Sequence, residues 1–176
     1  MNLMHMVIFS GTDGEEHWQT FLSLKQKEFI ALALSQYYQC EYCIQHHLKE
    51  VHRLVKTEKK TLSKNINAIV LFLRIDTHSI SKTERESWTT AWQKFAGKVS
   101  TGSSDQTTPY LIGLAIGIAR NDEFLIELCG TEVIKMLTAQ DVNPRSAIGE
   151  LESLVIFMKA AASKNRVAYK LEQLLR

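Results

Sequence analysis

The sequence predicts an all-α protein, and three observations carry that expectation. Only two prolines, Pro109 and Pro144, and eight glycines interrupt the 176 residues, well below ordinary usage of both helix breakers. Apolar residues recur at helical spacing along most of the chain, and no stretch alternates with period two long enough to make a strand. The length fits one compact multi-helix domain with a real core, so residues 1–176 are read as a single unit.

The first helix is expected over residues 15–24, where Trp18, Phe21 and Leu22 form an apolar stripe. A second covers 25–38 with Phe29, Ile30, Ala33 and Leu34 inward, and others cover 41–56 and 62–75. Ser81 and Glu84 spell a capping box, after which Trp88, Trp92 and Phe95 continue a core face to Gly97. Residues 98–108 are polar and rich in breakers and read as the one clear loop. Helices are expected again over 110–119, 122–137, 146–162 and 164–175.

A shift of 82 residues lays Phe29-Ile-Ala-Leu-Ala-Leu34 on Leu111-Ile-Gly-Leu-Ala-Ile116, and Glu50-Val51 on Glu132-Val133. A shift of 85 lays Leu71-Phe-Leu-Arg74 on Ile156-Phe-Met-Lys159. Two readings stand: a duplicated three-helix unit, or amphipathic helices alike by pattern alone. Under the first, Cys40, Cys43 and His47 map to Asp122, Leu125 and Cys129, so only the first copy holds a thiol pair.

Hydrophobic residues at 45% and charged residues at 23% exclude a disordered chain, a collagen and a membrane channel. A net charge of +2 gives no sign of a nucleic-acid or membrane surface. The most apolar run, 110–119, stops at Arg120, short of the ~18 residues a membrane span needs. The first ten residues lack Lys and Arg and their apolar run is too short for a signal-peptide core, so a cytoplasmic location is expected. Three cysteines, Cys40, Cys43 and Cys129, are too few for a disulfide-stapled secreted module.

Chemistry concentrates between residues 27 and 47, which hold Glu28, Cys40, Cys43, His46 and His47. On one straight helix Glu28 and Cys40 would stand ~18 Å apart. A corner near residues 37–39 changes that, because the midpoint of Glu28 and His47 is 37.5 and an antiparallel hairpin folded there brings them level. Cys43 and His47 are then i and i+4 on one helical face, with Cys40 one turn nearer the corner and within disulfide reach of Cys43. A cysteine in a helix's first turn has its thiolate favoured by the dipole. His47 can take its proton, Glu28 can orient the imidazole, and a neighbouring thiol can condense with a sulfenic acid.

Two plainer readings compete: a zinc site recruiting His46, His47 or His52, for which no second ligand pair appears, and two cysteines packed at a helix corner. Haem attachment is excluded because Ile44 stands directly after the second cysteine. Cys129, among Leu125, Leu128, Val133 and Met136, reads as a buried core thiol, and the Trp88/Trp92 pair as core. Lys56, Lys59, Lys60 and Lys64 read as a solvated face, or as a weak docking patch for an acidic reductase. Tyr37, Tyr38 and Tyr42 read either as walls of an apolar pocket or as ordinary packing.

Glu28, Cys40-x-x-Cys43 and His47, with the small residues Ala31, Ala33 and Ser35 before them, resemble the carboxymuconolactone decarboxylase superfamily, and within it the alkylhydroperoxidase D-like branch. Tyr42 stands where the best-known members of that branch carry His. The resemblance implies a thiol-dependent peroxidase or disulfide oxidoreductase without a bound cofactor or metal. In it Cys43 is the peroxidatic thiol, Cys40 the resolving thiol, and Glu28 with His47 the proton relay. Its implied partners are a peroxide, a dithiol or protein reductant, and further copies of the chain in a trimer or hexamer. The same fold also admits a lactone- or acid-processing enzyme and a non-catalytic helical module.

Overall fold

The structure, a computed structural model, describes residues 7–9, 20–55, 59–77, 79–99 and 105–175. Among these residues there are seven long helices and no strand. They are α1 (Leu24–Tyr37), α2 (Glu41–Leu54), α3 (Lys59–Phe72), α4 (Lys82–Lys98), α5 (Thr107–Arg120), α6 (Glu123–Ala139) and α7 (Pro144–Leu174). None of them is long and apolar enough to cross a membrane.

Two helices form the centre. α1 is buried without a break from Lys27 to Ser35, and α5 from Thr107 to Gly117. A helix enclosed on every side has to be apolar on every side, which is what Phe29–Leu34 and Leu111–Ile116 supply. α1 packs on α2, α3, α5 and α7, and α5 packs on α6, α7, α1 and α3. Small residues permit the closest approaches: a Cβ added to Gly113 would sit 2.5 Å from Cys129 Sγ on α6. α4 lies outside this frame, with Trp88 and Trp92 stacked on each other and Phe72 stacked on Phe95.

The corners α1–α2 and α5–α6 are built alike at a constant offset of 82. Gln39 and Asn121 both take the left-handed conformation, at φ 55° and 58°. The N–H of Cys40 donates to the Ser35 carbonyl at 3.0 Å, and that of Asp122 to the Gly117 carbonyl at 2.9 Å. Each is the long closing bond of a Schellman-type helix end. Cys40 and Asp122 then cap the next helix, accepting from the N–H of Cys43 and of Leu125 respectively. The left-handed residue and its closing bond also end α6, at Asp141 with φ 58° and with the Val142 N–H on the Leu137 carbonyl at 3.0 Å. What the two corners share at the offset of 82 is that the cap follows the left-handed residue directly.

Three boundaries differ from the sequence expectation. Residues 15–19 of the expected first helix lie outside the described residues, and Phe21 and Leu22 are not helical. Their N–H groups donate to the Glu150 carboxylate at 3.1 and 3.0 Å, and Ser23 opens α1 with a capping box to Gln26. The loop expected over 98–108 ends early, because Asp105 accepts from the Thr107 N–H and the Thr108 hydroxyl and starts α5. The two helices expected over 146–162 and 164–175 are one, α7, capped by Asn143 with Pro144 in its first turn. Nothing between Ala160 and Asn165 breaks a helix; only the apolar face ends there, Ala162 being the last buried residue.

Candidate redox site

The site is assembled at the α1–α2 corner. α1 ends at Tyr37, Gln39 turns the chain, and Cys40 begins α2 as its N-cap. The reversal places Glu28, just beyond the first turn of α1, beside the second turn of α2. Glu28 Oε2 lies 2.8 Å from His47 Nδ1, and both residues are only 3% exposed. A buried carboxylate on one ring nitrogen fixes the imidazole's orientation and directs the other nitrogen elsewhere. The Phe9 ring lies 5.5 Å from the His47 ring and helps wall it in.

Cys43, His47 and Val51 are the buried residues of α2, each four apart on one face. Cys40 and Cys43 are joined by a disulfide with their Cα atoms 5.2 Å apart, inside the usual range for such a bond. Cys40 is 8% exposed and Cys43 4%. The four residues singled out in the sequence therefore meet at one corner, with the thiol pair at the positive end of a helix.

Residues 6–61 match the family model of the carboxymuconolactone decarboxylase family. This segment belongs to that family. The matched stretch covers about a third of the chain and contains Glu28, Cys40, Cys43 and His47. No curated protein and no solved structure matches the chain. The cysteine pair of this carboxymuconolactone decarboxylase segment, at disulfide distance, is compatible with a redox role.

The remaining sequence candidates fall outside the family site. His46 is exposed, its ring perpendicular to that of His47 at 5.0 Å. His52 bonds Ser63 Oγ at 3.2 Å. Among the described residues no group of three or more His, Cys, Asp or Glu could hold a metal ion. Tyr42 is 71% exposed, whereas Tyr37 and Tyr38 pack edge to face at 5.2 Å. Lys60 and Lys64 are exposed, and Lys56 lies outside the described residues. Cys129 is fully buried, and burial with the Asp122 charge pushes its thiol up to about 12, so it stays protonated and inert at neutral pH.

Sequence reasoning missed what α7 brings to the corner. Asn165 Nδ2 lies 3.4 Å from Cys43 Sγ and 3.8 Å from Cys40 Sγ, and Arg166 Nη2 donates to the Tyr38 carbonyl at 2.9 Å. The signal that could have found it was helix length. A 31-residue helix spans ~46 Å against ~21 Å for each 14-residue neighbour, so its second half has to run past the core and over something.

Proposed function

We propose that the protein is a thiol-dependent peroxidase of the alkylhydroperoxidase D-like kind, with Cys40 and Cys43 cycling between dithiol and disulfide. The observation that carries this reading is a bonded Cys-x-x-Cys pair at a helix start, with a buried Glu28–His47 pair one turn away on the same face. In the reduced protein His47 takes the Cys43 proton and Glu28 holds the imidazole in place. The thiolate attacks one peroxide oxygen: an S–O bond forms, the O–O bond breaks, and the leaving oxygen takes the proton from His47 as alcohol or water. Cys40 then attacks the Cys43 sulfenic sulfur, forming the disulfide and releasing water. An external dithiol, or a protein bearing one, supplies two electrons. It attacks Cys40, the less buried residue of the two, and Cys43 leaves as thiolate.

The test is peroxide consumption coupled to dithiol oxidation, with thiols counted before and after one equivalent of peroxide. The expected result is loss of two thiols from the Cys40/Cys43 pair and none from Cys129. Cys40→Ser should react once and accumulate oxygen adducts on Cys43, and Cys43→Ser should show none on Cys40. Equal loss of the first step in both variants overturns the division of roles, and no peroxide consumption by the unaltered protein overturns the reading.

A further inference from the structure

The two halves of the fold differ in what lies over their corners. At the α5–α6 corner, the Asp122 carboxylate accepts from the Thr77 hydroxyl and pairs with Arg120 at 3.3 Å. Thr77 belongs to the segment after α3. At the α1–α2 corner, the place of Asp122 is taken by Cys40. The counterpart of the post-α3 segment is the continuation of α7 beyond Ala162, one turn past the position matching Thr77 at the offset of 85. That continuation delivers Asn165 to the two sulfurs. In both halves the side chain capping the second helix receives a donor from the other half, in one from the stretch after its third helix and in the other from that helix's own extension. A carboxylate receives a hydroxyl there, and a cysteine pair receives an amide.

We propose that Asn165 is a catalytic residue of the thiol pair, donating an N–H to Cys43 Sγ and stabilising the thiolate. This rests on the peroxidase reading for its place in turnover. Sulfur in disulfide, thiolate or sulfenic form offers lone pairs, so the amide's N–H side faces it. Arg166, the next residue, holds the Tyr38 carbonyl on the corner itself, which fixes this turn of α7 against α1 and sets the Asn165 amide in register with Sγ. Glu28 and His47 manage the proton, and Asn165 stabilises the negative charge left when it departs. The same bond acts twice per cycle: before Cys43 attacks peroxide, and when the dithiol displaces Cys43 from the disulfide.

The experiment measures Cys43 alkylation by iodoacetamide against pH, resolved by mass, in the reduced full-length protein and in Asn165→Leu and Asn165→Ala. A hydrogen bond to a charged partner is worth about tenfold or more in the thiol–thiolate equilibrium. Both variants should therefore move the alkylation midpoint up by about one pH unit. The equilibrium with dithiothreitol should shift about tenfold toward the disulfide, with helix content unchanged. Asn165→Ala removes the amide, adds no charge and keeps a strong helix former in place, and it decides the matter if Asn165→Leu loosens the helix. Unchanged midpoints in folded variants overturn the proposal even if the protein consumes peroxide. Raised midpoints in a protein that consumes no peroxide uphold Asn165 as the thiolate donor and remove only the peroxidase reading.

Discussion

Replacing Glu28 separates what its carboxylate does for the fold from what it does for turnover. Glu28→Ala leaves His47 Nδ1 in a site 3% exposed without its 2.8 Å partner, a loss of about 1–3 kcal/mol for an unsatisfied buried polar group. The missing methylene adds about 0.8 kcal/mol of lost burial. Unfolding in urea should therefore show Glu28→Ala destabilised by about 2–4 kcal/mol. Glu28→Gln keeps both the volume and an oxygen acceptor for Nδ1, and should lose about 1 kcal/mol or less. Activity should behave differently: both variants should slow peroxide-dependent dithiol oxidation by ~10²–10⁴, the usual range for a disabled proton relay. The stability gap and the shared kinetic loss have to appear together. Glu28→Gln at the unaltered rate would remove the carboxylate from the mechanism, and Glu28→Ala as stable as the parent would show that the contact does not hold the corner.

Asp122→Ala, which loses an N-cap, the Thr77 bond and the Arg120 pair, should lower stability by about 3–5 kcal/mol in urea while the reduced protein still closes the Cys40–Cys43 disulfide. Gly113→Ala drives a Cβ onto Cys129 Sγ and should cost about 1–3 kcal/mol, part of which Cys129→Ala in the same chain restores in thermal melts. The Cys129 thiol, raised from 9.0 to about 12 in the fold, contributes stability that is lost as the pH rises above 9, because the unfolded chain ionises first. Cys129→Ala should flatten the alkaline limb of a stability–pH curve, and an unchanged limb would show that another group controls it.

How much of the molecule was legible depended on whether a feature left a pattern. The four residues at the corner did, because a reversal near residues 37–39 brings Glu28 beside His47 and because Cys43 and His47 share a helical face. The corner itself carries no glycine or proline: Gln39 takes a left-handed φ that residues other than glycine adopt uncommonly, so only the spacing around it gave notice. The repeat was visible as a few aligned letters, to which the structure adds two corners at the offset of 82 with the same closing bonds and the same cap position. α7 was split in two because periodicity reports where the core ends, and this helix outlives the core by three turns. Asn165 left no compositional trace, since a half-buried asparagine on an otherwise exposed helical stretch looks like a solvated face, and only the length of α7 pointed to it. Ser23 and Glu150 were missed because a cap and a distant carboxylate hold the start of α1 without any apolar signal.

The enclosure of α1 has a practical consequence for anyone tempted to study the family-matched stretch by itself. Residues 6–61 carry Glu28, Cys40, Cys43 and His47, yet α1, with Phe29, Ile30, Leu32 and Leu34 buried, packs on α5 and α7 as well as on α2 and α3. Cut free, such a peptide would present those side chains to water and collapse or aggregate before any thiol could be titrated. The thiol-bearing piece is thus the cargo, and the remainder is the vessel. An engineer could vary the chemistry by rewriting the first third of the chain, but would have to carry α5 and α7 along to keep it dry.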